Sequence, residues 1–119
     1  MIREISKKDI PECVDVIRKS FLTVADEFGF TIENAPRFTA FATTEERLFY
    51  QLEYEQRLMV ADYDDGDGRI LGYYSLMFLE NSECELSNLC VLPEFRHKKI
   101  GEALLEDAVI RAKTPVAKK

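Results

Sequence analysis

The stretch from Glu85 to Leu105 reads ELSNLCVLPEFRHKKIGEALL. A strand is predicted over Glu83–Leu92, and Pro93 ends it because proline has no N–H to donate to a sheet. Apolar residues at helical spacing predict a helix over Ile100–Lys113. Between them lies a basic loop at 95–99. Since a helix N-terminus offers unpaired N–H groups and a partial positive charge, this strand, loop and helix predict an anion site suited to a pyrophosphate.

The remaining segments predict an α/β domain in which the elements run β-α-α-β-β-β-α. Strands are predicted over 2–5, 58–63 and 70–79, and the last is so uniformly apolar that we expect burial on both its faces. A first helix begins near Ile10 and stops at Gly29, and a second covers about 44–56. Residues 30–42 are irregular. Thr43 and Glu46 match the capping box at the start of the second helix.

Composition excludes several classes of protein. The chain has 119 residues, of which 46% are hydrophobic, and a net charge of -6. This charge argues against a nucleic-acid binder or an anionic-membrane binder. No apolar run is long enough for a membrane span or a signal peptide. The odd set of Cys13, Cys84 and Cys90 predicts buried, reduced thiols in a cytoplasmic protein. Residues 64–68 lack the calcium-loop ligand pattern and predict a hairpin turn, so no metal is expected.

The segment 85–105 resembles motif A of the GNAT N-acetyltransferases, in which a strand is followed by R/Q-x-x-G-x-G/A entering a helix. The element order is similar to that family over the whole chain. The phosphate-loop pattern G-x-x-x-x-G-K-[ST] and the dinucleotide pattern G-x-G-x-x-G are both absent. The resemblance implies a GNAT-like fold, a mixed and mostly antiparallel sheet flanked by helices, with acetyl-CoA as cosubstrate.

The resemblance also implies which residues form the site. Backbone groups of the strand would contact the pantetheine arm, and N–H groups of the loop would hold the pyrophosphate. The N–H near Leu89 would polarise the thioester carbonyl, as in an oxyanion hole. Glu85 stands where the family places a general base, and Glu83 shares its face of the strand. The candidate cofactor-binding residues are Leu89, Cys90, Val91, Arg96, His97, Lys98, Lys99, Ile100 and Gly101.

Two departures from the family pattern stand out. Lys99 replaces the first glycine of the motif. We expect a negative φ there, where a side chain costs little and adds a charge near phosphate. The sequence also ends after the motif A helix, where the family continues with a strand, a helix and a hairpin. We therefore expect one acetyltransferase-like domain, 1–119, that lacks this portion, with a tail at 114–119.

Two functions stay open. The first is an N-acetyltransferase that passes the acetyl group directly to an amine, which is a small metabolite, an antibiotic or a protein N-terminus. The alternative is a non-catalytic, truncated module that binds CoA or a partner subunit, such as a second copy in a homodimer, through an exposed sheet edge. Six phenylalanines either line an acceptor pocket, as the resemblance implies for the region between the first two helices, or belong to the core or to a subunit contact. They are Phe21, Phe28, Phe30, Phe38, Phe41 and Phe49.

Overall fold

The computed structural model describes residues 1–113, apart from the side chain of Asn81. Residues 114–119, for which the sequence predicts a tail, lie outside this range. The predicted order of elements is confirmed, with one addition, the single-turn helix α2. The elements are β1 (Ile2–Glu4), α1 (Ile10–Phe28), α2 (Thr39–Ala42), α3 (Glu45–Glu53), β2 (Leu58–Tyr63), β3 (Ile70–Phe78), β4 (Cys84–Val91) and α4 (Ile100–Lys113).

The four strands form one antiparallel sheet in the order β1-β2-β3-β4. The prediction of a covered central strand is confirmed, because Ile70 to Leu76 of β3 are all buried. The predicted hairpin turn between β2 and β3 is also confirmed. In this turn the Gly66 N–H donates to Asp64 Oδ1 at 2.7 Å, and the Gly68 N–H donates to the Asp64 carbonyl at 2.9 Å.

Helices cover both faces of the sheet, so the core has two parts. On one face, α1 and α3 bury Ile17 and Leu48 against Tyr73. On the other face, α4 buries Leu104 against Tyr74. The two tyrosines are neighbours on β3, and successive side chains of a strand point to opposite faces. This arrangement leaves β4 at one edge of the sheet, with α1 on one side and α4 on the other.

The helix boundaries follow local signals, with one correction. The predicted stop of α1 at Gly29 is confirmed, and this glycine has a φ of 71°. The capping box at Thr43 is wrong. The Thr43 hydroxyl donates to the Thr39 carbonyl at the end of α2, so it is not available to α3. Thr44 caps α3 instead, since its Oγ1 accepts the Arg47 N–H at 3.1 Å. Within residues 1–113, no helix combines the length and apolar character that a membrane crossing requires.

Candidate cofactor cleft

A β-bulge interrupts β4 close to the predicted site. Tyr73 pairs with Cys90 but Ser75 pairs with Ser87, so two residues of β4 stand opposite Tyr74. Asn88 is one of them and has a φ of 56°. A bulge breaks the regular ladder and leaves backbone groups unpaired at that point. The sequence patterns do not predict this bulge. The available signal was asparagine itself, which tolerates positive φ better than most residues.

The loop after β4 contains left-handed residues at its tip. Both His97 and Lys99 have positive φ values, 66° and 64°. The expectation of a negative φ at Lys99 is therefore wrong. The loop reverses from the sheet edge into a helix that lies over the sheet, and positive φ makes such a reversal possible within few residues. Glycine adopts this conformation freely, whereas a side chain there costs about 1–2 kcal/mol.

The start of α4 presents free backbone donors. The Ala103 N–H donates to the Lys99 carbonyl at 3.0 Å, closing the first turn of the helix. The N–H groups of Ile100, Gly101 and Glu102 come before this bond, so they have no acceptor within the helix. Such a group of N–H donors at the positive end of a helix is suited to bind a phosphate.

A cleft of about 470 Å³ runs between α1, the bulged end of β4 and the start of α4. Its walls are mostly apolar. Five predicted cofactor-binding residues line it, namely Leu89, Cys90, Val91, Arg96 and Gly101. The other lining residues are Ser20, Phe21, Val24, Glu102 and Leu105. The structure therefore places the strand and the helix start of the predicted site around one cavity.

The other four predicted residues lie outside this lining. His97, Lys98 and Lys99 are exposed on the loop. The Lys98 ammonium lies 5.7 Å from the centroid of the Phe95 ring, at cation–π distance. Ile100 is half-buried and packs against the core under α4.

The Arg96 side chain reaches across to α1. Its Nη1 donates to Thr23 Oγ1 at 3.0 Å and its Nη2 donates to the Ser20 carbonyl at 2.8 Å. Its own backbone N–H donates to the Pro93 carbonyl at 3.3 Å. These bonds connect the loop to the helix that forms the opposite wall of the cleft.

Glu85 lies on β4 before the bulge and is exposed, as is Glu83. It pairs with Met77, so its side chain is on the sheet face that α1 and α3 cover. Leu89 lies four positions after Glu85, a distance of about 13 Å along the strand. Glu85 is not among the residues that line the cleft.

The buried thiols and phenols near the cleft are held in their protonated forms. Burial raises the pKa of Cys90, and likewise of Cys13, to about 12. Burial also raises the pKa of Tyr74, which donates to Asp107 Oδ2 at 2.6 Å. A thiol with so high a pKa is a poor nucleophile at neutral pH, because the thiolate is the reactive form. All three cysteines are free. The predicted burial is confirmed for Cys13 and Cys90 but is wrong for Cys84, which is half-buried near one end of β4.

Phenylalanine rings extend from the cleft toward the segment that joins α1 and α2. Phe21 lines the cleft and meets Phe38 edge to face, with ring centroids 6.3 Å apart. Phe38 in turn contacts Phe30 and Phe41. Phe28 stacks on Phe30 and is 64% exposed. Phe21, Phe38 and Phe41 are half-buried, whereas Phe28, Phe30 and Phe49 are exposed. A role for these rings in an acceptor pocket stays a prediction.

Comparison with known proteins relates this architecture to one family. The family model described as "Acetyltransferase (GNAT) domain" matches residues 54–119, more than half of the chain. No curated protein matches the chain.

Solved structures of the same kind superpose on almost the whole chain. PaiA N-acetyltransferase from Thermoplasma acidophilum, solved with coenzyme A, has a TM-score of 0.80 at 25% identity, covering 95% of this chain and 71% of that one. A GNAT family acetyltransferase from Brucella melitensis, solved with acetyl-CoA, has a TM-score of 0.70 at 18% identity, covering 95% and 68%. The ribosomal-protein-S18-alanine N-acetyltransferase from Escherichia coli has a TM-score of 0.66 at 17% identity, covering 94% and 58%. At their identities, the last two likenesses show the fold alone.

Proposed function

Because the chain belongs to the GNAT acetyltransferase family, we propose that it transfers an acetyl group from acetyl-CoA directly to an amine. The cleft between the bulged end of β4 and the start of α4 is the observation that carries this proposal. It combines an apolar channel with free N–H donors at one end. The relatives solved with coenzyme A and acetyl-CoA support the same choice of cosubstrate.

The residues of the cleft fit the two chemically different parts of this cosubstrate. Leu89, Val91 and Leu105 offer apolar contact to a pantetheine arm. The N–H groups of Gly101 and Glu102 lie at the helix start, where a pyrophosphate is stabilised by both hydrogen bonds and the helix dipole. Peptide donors lose no side-chain entropy on binding, so the site is largely preformed.

The reaction needs a donor for the carbonyl oxygen and a base for the amine. Bound acetyl-CoA supplies a thioester carbonyl that amines attack. The backbone N–H of Leu89, which lies at the bulge, donates to the oxygen as negative charge develops on it. Glu85 accepts a proton from the attacking amine. Because Glu85 is exposed and lies outside the cleft lining, the proton passes through a water. As the new C–N bond is completed, the C–S bond breaks and CoA leaves as a thiolate, which takes a proton from solvent.

Thermal unfolding with and without acetyl-CoA tests the cosubstrate. Ligand at 100 times its Kd stabilises a protein by about 2.7 kcal/mol, which raises the midpoint of a domain this small by about 10 °C. Adenosine, which lacks both the pyrophosphate and the pantetheine arm, is the control ligand and should cause no comparable rise. Cooperative unfolding with no rise at millimolar acetyl-CoA would contradict the proposal.

Release of the CoA thiol, measured with a chromogenic thiol reagent, tests the transfer. The candidate amines are polyamines, aminoglycosides and short peptides with free N-termini. A blank without amine is needed because Cys84 is half-buried and is itself a free thiol. Amine-dependent release of CoA supports the enzyme.

A non-catalytic module is the second candidate. The outer edge of β4 pairs with no strand among the described residues. Leu86 on this strand is 39% exposed, and Leu105 and Val109 on α4 are 45% and 44% exposed. An unpaired edge beside apolar surface favours association with a partner subunit or a second copy. Acetyl-CoA binding without thiol release, together with a dimer in sedimentation, would favour this candidate over the enzyme.

A further inference from the structure

Arg96 and α1 form a closed ring of hydrogen bonds. Arg96 donates from one terminal nitrogen to Thr23 Oγ1 at 3.0 Å and from the other to the Ser20 carbonyl at 2.8 Å. Thr23 Oγ1 itself donates to that same carbonyl at 2.9 Å. The Thr23 hydroxyl accepts a bond from Arg96 and donates one to the Ser20 carbonyl, so these two bonds polarise and strengthen each other.

The hydroxyl groups of Ser20 and Thr23 on α1 are oriented by hydrogen bonds within that helix. The Ser20 hydroxyl donates to the Val16 carbonyl at 2.6 Å, and the Thr23 hydroxyl donates to the Ser20 carbonyl, so both protons are committed to α1. The Thr23 oxygen is therefore left to accept a bond from outside the helix. The two acceptors are matched by the planar fork of a guanidinium, which a lysine ammonium does not reproduce.

The same bonds leave Arg96 poorly placed to hold a phosphate. Its guanidinium is directed to α1, and its backbone N–H already donates to the Pro93 carbonyl. Free donors lie further along, at the first turn of α4. Arg96, Ser20 and Gly101 all line the one cleft, so the contact fixes the separation of its two walls.

We infer that Arg96 is a positioning residue, which holds α1 against the loop and so sets the width of the cofactor cleft. It acts through Ser20 and Thr23 and makes no charge contact with the pyrophosphate. This inference rests on the proposed binding of acetyl-CoA to the cleft. This positioning role differs from the prediction from the sequence alone, which counts Arg96 among the cofactor-binding residues.

Affinity measurements separate positioning from direct phosphate contact. The variants are Arg96→Met, Arg96→Lys and Thr23→Val, and the ligands are CoA and pantetheine, which lacks the pyrophosphate. If Arg96 sets the cleft width, Arg96→Met and Arg96→Lys each lower the affinity for both ligands by about tenfold. Lysine has this effect too, because it keeps the charge but lacks the two-pronged guanidinium. Thr23→Val lowers the affinity for both ligands by the same factor, which is smaller than that of the Arg96 variants.

Two results would overturn the inference. One is that Arg96→Lys binds CoA as well as the wild type. The other is a loss of affinity for CoA alone, with pantetheine unaffected, since this would place the charge on the pyrophosphate. Arg18→Met is the matched control, because Arg18 is an exposed cation on α1 and its loss should change neither affinity. Thermal melts confirm that each variant is folded at the temperature of measurement.

Hydrogen exchange on the ligand-free protein keeps the inference testable if the wild type binds no CoA. In that case the proposed function fails, but the exchange rates still report whether the Arg96 side chain stabilises α1 through its hydrogen bonds to Ser20 and Thr23. In Arg96→Met, amides of residues 20–24 should exchange about tenfold faster than in the wild type. Unchanged exchange there would overturn the positioning role, whatever the cofactor result.

Discussion

Gly72 on β3 faces α4 so closely that an added methyl group tests how the two elements pack. A Cβ built on Gly72 lies 2.7 Å from Leu104 Cδ1 and 2.9 Å from the carbonyl oxygen of Cys90. Both distances are well below the van der Waals separation of about 3.5 Å. Leu104 is fully buried and the carbonyl belongs to β4, so neither can move without disturbing its neighbours.

We expect Gly72→Ala to lower the free energy of unfolding by about 1–3 kcal/mol, the usual cost of overpacking a core. In a domain of this size each kcal/mol shifts the thermal midpoint by roughly 4–5 °C, so the midpoint should fall by about 4–15 °C. Circular dichroism melts and urea titrations measure both quantities. A variant as stable as the wild type would refute the close approach of α4 to β3.

Gly101 provides the matched control for this prediction. A Cβ there lies 3.7 Å from Val91 Cγ2, an ordinary contact. Gly101→Ala should therefore keep the wild-type midpoint to within about 2 °C. Because Gly101 and Val91 both line the cleft, the methyl group should weaken acetyl-CoA binding by about tenfold. A loss of stability without a loss of affinity would reverse the roles assigned to the two glycines.

Three further predictions concern catalysis, alkaline pH and a helix cap. Glu85→Gln should lower kcat by about 10²-fold or more and leave the KM for acetyl-CoA unchanged, as steady-state assays will show; an unchanged kcat excludes Glu85 as the base. Burial raises the pKa of Cys13 and Cys90 to about 12 and raises that of Tyr73. The unfolded chain loses these protons first, so stability is retained below about pH 9 and falls above it, by up to about 1.4 kcal/mol per pH unit for each group. Urea titrations across this range that show constant stability would contradict the burial. Thr44→Ala should cost about 1 kcal/mol of unfolding free energy, and no change would mean that α3 does not depend on its cap.

Much of the fold was predictable because its signals are local. Gly29 ends α1 through a left-handed residue, and an Asp- and Gly-rich turn joins β2 to β3. The apolar run of β3 indicated its burial. The capping prediction failed by one residue because α2 was not foreseen and its last turn uses the Thr43 hydroxyl.

The candidate site was predictable only in outline. The strand, loop and helix start were located correctly, and five of the predicted residues line one cleft. The bulge at Asn88 was missed, because it depends on the register between β3 and β4. The left-handed φ of Lys99 was also missed, since the path of the chain into α4 requires a conformation that its residue type disfavours.

The sequence alone therefore determined the order of the elements, the antiparallel hairpins and the position of the helix start that we propose binds the pyrophosphate, because these features arise from residues near one another in the chain. The tertiary structure was needed for the role of Arg96. Its side chain bonds to Thr23 and Ser20, which precede it in the chain by 73 and 76 positions. The tertiary structure was also needed for the close contact of Gly72 with Leu104. Local patterns carry no information about which distant side chain will lie opposite, because that depends on how the layers pack.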